Sequence, residues 1–230
     1  MSQARRVLIA LYAASGAAAL VYEVVWTRLL TLQLGHTVAA TSTVLAAFMG
    51  GLGLGAWLAG RLLFRQAWQV GQVGESGSTD LPYPPHQSHR PLMRMYAALE
   101  IGIAACALLL PFALRASVPA LAWAYADGTA PVRFALVRVA ISLVLVVIPA
   151  AAMGATFPVA ADWLSVPSSG SGGSGRGPMP AGVLYAANTL GAAIGAVAAG
   201  FWLIPAIGLR STTWVGVALN AVAAAGAFGS

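Results

Sequence analysis

The sequence predicts an all-α fold, a polytopic transmembrane helical bundle of six spans, and three observations lead there. Hydrophobic residues make up 59% of the 230 residues and charged residues only 8%, with a mean hydropathy of +0.81. Soluble domains carry about a quarter charged residues, so a surface this poor in charge cannot be covered against water and a soluble enzyme is excluded. The apolar residues fall in runs of the roughly 20 residues that a 30 Å hydrocarbon core demands. None of these runs alternates as the strands of a membrane barrel must, so helices are the way to satisfy their backbone groups in lipid.

The expected spans are residues 7–32, 38–63, 93–114, 134–160, 181–204 and 212–228. The first follows Arg5-Arg6 and could be mistaken for a secretion signal ending at Ala17-Ala18-Ala19. Its apolar stretch continues into Val24-Val25-Trp26, so a retained helix is the simpler reading. The second and fifth carry glycine stripes, Gly51 and Gly55 with Ala59, and Gly191 and Gly195 with Ala187 and Ala199, at the i+4 spacing that lets helices approach closely. Both also carry a far-end aromatic, Trp57 and Trp202, as two three-helix repeats of a half major-facilitator-like unit would. In the fourth, Pro149 and Pro158 bracket Gly154, which points to a helix break. Residues 66–91 are expected to form a mobile cytoplasmic loop, and residues 165–180 a Gly/Ser-rich cytoplasmic tether. The organisation is thus 1–65, the 66–91 loop, 92–164, the 165–180 loop and 181–230, a single membrane domain.

All 12 basic residues are arginine. They are scattered between apolar runs rather than gathered on one face, so they mark topology and no nucleic-acid partner is expected. Arg5, Arg6, Arg61, Arg65, Arg90, Arg94 and Arg176 outweigh Arg28, Arg115, Arg133 and Arg210, placing both termini and the long loops in the cytoplasm. The lone Cys106 cannot pair within the chain. His86 and His89 lack further ligands, so no metal is expected, and nothing points to a cofactor. Gly50-Gly51-Leu52-Gly53 follows no strand and is no nucleotide loop.

Ionisable groups inside a span cost roughly 2.5–3.5 kcal/mol and normally face the bundle interior. Glu23 lies about 24 Å along the first span, flanked by Tyr22 and Trp26, and reads either as a cation or proton site or as a structural carboxylate paired with an arginine of another helix. Glu100 in the third span and Arg138 in the fourth are the other candidates for a ligand or an ion pair. Two carboxylates facing one cavity would suit an amine. Asn188, like Asn220, is expected to hydrogen-bond between helices for about 0.6 kcal/mol, and Asp162 is an interfacial charge.

Five segments carry a family resemblance: Ser15-Gly16-Ala17-Ala18-Ala19-Leu20-Val21-Tyr22-Glu23-Val24-Val25-Trp26-Thr27-Arg28, Ser42 through Gly55, Pro149 through Pro158, Tyr185 through Ala192, and Gly200 through Arg210. In this order they resemble the membrane module of bacterial fused spermidine-synthase-like proteins, joined to a major-facilitator-like domain. The resemblance implies residence in the bacterial cytoplasmic (inner) membrane. It also implies a partner, a cytoplasmic domain similar to polyamine aminopropyltransferases with a Rossmann-like methyltransferase fold. No strand, glycine-rich turn and acidic ribose ligand occur here, so no catalytic residue carries over. The sequence ends at Ser230, directly after the sixth span, and a missing catalytic half is expected. The function expected is anchoring or partnering that domain, with binding or movement of a small amine. The alternatives are a stand-alone transporter-like half that forms a homodimer and a structural subunit of a membrane complex.

Overall fold

The computed structural model describes residues 3–35, 37–75, 90–165 and 181–228. Among them every regular element is helical: α1 (Gln3–Leu34), α2 (Val38–Glu75), α3 (Arg90–Tyr125), α4 (Pro131–Ser165), α5 (Ala181–Ala198) and α6 (Ile204–Phe228), with short turns at Ala126–Gly128 and Ala199–Leu203. Five helical stretches are long and apolar enough to cross a membrane, the last of them running without a loop through residues 181–228. The chain is therefore a membrane protein by the length and composition of its helices.

Local chemistry sets several boundaries. α1 stops at Gly35, whose φ of 103° suits glycine and whose N–H reaches the Thr31 carbonyl at 3.0 Å. α2 starts behind Thr37, whose hydroxyl caps the Ala40 N–H at 3.1 Å. Other boundaries differ from the sequence reading. α2 continues through residues 66–75, which were expected to begin a loop, because that segment is polar but free of proline and a helix needs no apolar residues once it has left lipid. α3 likewise outruns its expected end at residue 114, with Arg115 on its exposed side. The rest of the first loop, with His86 and His89, and residues 166–180 of the second lie outside the described residues.

The kink or unwinding expected at Pro149, Gly154 and Pro158 does not interrupt the helix, since α4 runs from Pro131 to Ser165 with both prolines inside it. Its packing explains this, because a Cβ on Gly154 would strike the Leu52 carbonyl, so the backbone of α2 braces α4 at that point. Departures from α geometry fall instead near the end of the chain. The Ile204 N–H bonds the Ala199 carbonyl five residues back, making a π turn. Gly208 has φ 78° and ψ 170°, a conformation open essentially to glycine alone.

The main pairings are α2 with α4, α1 with α5, α3 with α4, α1 with α6 and α3 with α6. Gly191 and Gly195 rest on the backbones of Ala13 and Ala17, so α5 runs parallel to α1. Gly216 and Gly226 meet Tyr22 and Leu11, so α6 runs back the other way. Two apolar clusters fill the interior. One gathers Tyr22, Trp26, Phe48, Ile103 and Val146, and the other gathers Leu8, Tyr12, Tyr96, Val159 and Ala223.

Candidate functional site

Between the two apolar clusters lies a layer of polar side chains, one from each of four helices: Ser15 of α1, Glu100 of α3, Thr156 of α4 and Asn220 of α6, all buried. Ser15 falls roughly midway between Arg6 and Arg28 along α1, so the layer sits near the middle of the bundle. Small residues make room for it. The inward face of α1 carries Tyr12 and Tyr22, with the small residues Ser15 and Ala18 buried between them in the chain.

Glu100 is the centre of this layer. Its side chain is fully buried, and neither carboxyl oxygen has a well-formed hydrogen bond. The hydroxyls of Ser15 and Tyr96 lie beside it, and the rings of Tyr12 and Tyr22 are within electrostatic reach. Asn220 approaches from α6, donating its amide to the Glu100 backbone carbonyl at 3.1 Å. Further buried polar atoms lack a well-formed hydrogen bond: the Tyr22 hydroxyl, the Trp26 indole N–H, the Asn220 side-chain oxygen and the Tyr96 hydroxyl, which lies beside Ser15 and Glu100. An orphaned polar group costs about 1–3 kcal/mol, and an uncompensated carboxylate costs more. Of these groups, Tyr96 and Asn220 adjoin Glu100 in the polar layer, whereas Tyr22 and Trp26 belong to the first apolar cluster.

Aromatic rings occupy the clusters on either side of the carboxyl's layer. Tyr12 and Tyr96 stand 6.4 Å apart between centroids, and Tyr22 stacks on Trp26 at 5.4 Å and 13°. A carboxylate supplies charge and acceptors while tyrosine faces attract cations, so the chemistry of this set favours a cation. It offers a poor home to an anion.

The other residues singled out from the sequence lie elsewhere. Glu23 is half-buried on α1, with burial alone acting on its carboxyl and no charged or donor group beside it among the described residues. Arg138 does not meet Glu100: from Arg138 to Thr156 α4 rises about 27 Å, and the guanidinium instead bonds the Thr37 hydroxyl at 3.4 Å and covers the Phe134 ring at 5.3 Å. Asn188 is half-buried in the α1–α5 contact, against Gly16. Gly51 and Gly55 lie against Ala150 and Ala151 of α4, and Gly154 of α4 lies against Leu52 of α2. Sequence reasoning assigned Tyr22, Trp26 and Glu100 but passed over Ser15, Tyr12, Tyr96 and Thr156. Their signal was present as hydroxyl-bearing residues at the depth of Glu100, visible only when the spans are aligned by their arginine markers.

Compared with known protein families, with curated proteins and with solved structures, the chain matches none of them.

Proposed function

We propose that this chain is a six-pass membrane domain, made of two inverted three-helix repeats, that binds a small organic amine at Glu100. Following the sequence resemblance, it serves a spermidine-synthase-like cytoplasmic domain, with both termini on the cytoplasmic side of a bacterial inner membrane. The observation that carries the reading is the fully buried Glu100 carboxyl, which has no well-formed hydrogen bond and lies beside the Ser15 and Tyr96 hydroxyls.

Two features support the repeat architecture. Reversal of direction between α5 and α6 at Gly208 divides residues 181–228, too long at about 72 Å for one crossing, into two passes. Exchanging α1, α2 and α3 for α4, α5 and α6 also maps the main helix pairings onto themselves, α1–α5 onto α2–α4 and α3–α4 onto α1–α6. The α3–α6 contact maps onto itself, and there Asn220 meets Glu100. Transport proteins built from inverted repeats place their sites at such an interface near the bilayer midplane. The same centre would serve a stand-alone half that dimerises. The lipid-facing sides of α2 and α5, with Leu54, Trp57, Leu190 and Ile194 exposed, give such a dimer an apolar surface.

The test is thermal stabilisation of the purified protein by spermidine and by shorter diamines. A ligand at 100 times its Kd stabilises by about 2.7 kcal/mol. Glu100→Gln keeps the shape and removes the charge, so it should fold yet lose that gain, while Glu23→Gln should retain it. An equal response from Glu100→Gln and the unaltered protein would overturn the assignment.

A further inference from the structure

At the end of the bundle away from the chain termini, a cleft of about 470 Å³ opens between the last turns of α1, Thr41 of α2 and the π turn that follows α5. Nothing in the amine reading uses it. α1 contributes Val24, Thr27, Arg28 and Thr31, the i, i+3, i+4, i+7 positions of one face. No carboxylate is among its lining residues, so the exposed Arg28 guanidinium is their one charge.

Hydrogen-bond accounting narrows the occupant. The Thr31 hydroxyl is already committed to the Thr27 and Arg28 carbonyls at 2.8 and 3.1 Å, and that of Thr41 to the Thr37 carbonyl at 3.4 Å. The guanidinium supplies donors in a fixed fork, which suits the oxygens of a phosphate. The deeper wall is apolar. Gly195 beside Ala17 sets α5 parallel to α1, which brings Gly200 and Ile204 to the level of Tyr22 and Trp26, below Arg28. Gly200 is exposed and a Cβ there would meet nothing within 4 Å, so beside Val24 and Ile204 the cleft opens as a groove on the outside of the bundle. A cationic rim over an apolar groove matches an amphiphile.

We infer that this cleft binds an anionic phospholipid of the leaflet opposite the termini, its phosphodiester on Arg28 and one acyl chain along Val24, Gly200 and Ile204. Free phosphate shares the headgroup chemistry but leaves the groove empty, so the two sources are separable.

Native mass spectrometry of the full chain in detergent micelles containing phosphatidylglycerol reads retained lipid directly. Arg28→Gln should reduce retention about tenfold, the loss of a charge-assisted contact. Arg138→Gln, at the same end of the bundle but beside Thr37, should leave it unchanged. Gly200→Leu should reduce phosphatidylglycerol retention with Arg28 in place, and millimolar inorganic phosphate should not displace the lipid. Equal retention by Arg28→Gln and the unaltered protein, equal losses from Arg28→Gln and Arg138→Gln, or displacement by inorganic phosphate would each overturn the assignment. Circular dichroism of each variant establishes that it remains helical.

Discussion

Gly55→Ala and Gly53→Ala, two residues apart on α2, should have opposite effects. A Cβ on Gly55 would collide with the Ala151 carbonyl and stand 2.7 Å from the Ala151 Cα, so it meets backbone that no rotamer change can move. Gly51 is equally confined, with a Cβ reaching within 2.6 Å of the Ala150 Cβ, so α2 cannot slide along α4 to escape. The helices must separate, and every contact along the seam weakens together because dispersion falls steeply with distance. Overpacking of this kind costs about 1–3 kcal/mol. At Gly53 a Cβ meets nothing within 4 Å, and alanine gains up to about 1 kcal/mol in helix propensity. Thermal unfolding in one detergent should place Gly55→Ala below the unaltered protein by roughly 2–4 °C per kcal/mol, and Gly53→Ala level with or above it. Equal melting temperatures for the two variants would refute the claim that the α2–α4 seam is held by close backbone approach.

Two further outcomes follow from single residues. Gly208→Ala places a side chain at φ 78° and ψ 170°, which should cost about 1–3 kcal/mol; a denaturation midpoint identical to that of the unaltered protein would show that the α5–α6 reversal does not depend on this geometry. Asn220→Ala removes the donor to the Glu100 carbonyl and should cost about 0.6–1.7 kcal/mol, together with weaker amine stabilisation. Loss of neither quantity in the same unfolding series would remove Asn220 from the site.

The membrane character of the chain was legible because composition and run length are properties of single segments. The polar layer was not, because it belongs to four helices at once. Glu100 announced itself as a charge in an apolar run, whereas Ser15 and Thr156 are of a kind that helices absorb at little cost, as when the Thr156 hydroxyl bonds the Met153 carbonyl at 2.7 Å. Proline misled in the opposite direction. Pro149 and Pro158 are strong breakers in isolation, yet α4 is clamped along α2 at Gly51, Gly55 and Gly154 and stays helical. The real departure, at Gly208, carried no stronger signal than the packing glycines around it.

The same contacts indicate how a sealed carboxyl could be reached. Backbone-tight glycine seams join α1 to α5 and α2 to α4, so neither pair can separate or slide without moving backbone. α6 meets α1 differently, through the Tyr22 ring at Gly216 and the Leu11 side chain at Gly226. These are side chains with rotamers available to them, and they can yield where a backbone contact cannot. The Asn220 amide, bonded to the Glu100 carbonyl, ties α6 to α3. α6 is therefore held on α1 by contacts that side chains can relax, and it carries Asn220, whereas α3, with Glu100, also packs along α4. On the proposed amine reading, access to the carboxyl is a displacement of α6 that carries the Asn220 amide off the Glu100 carbonyl.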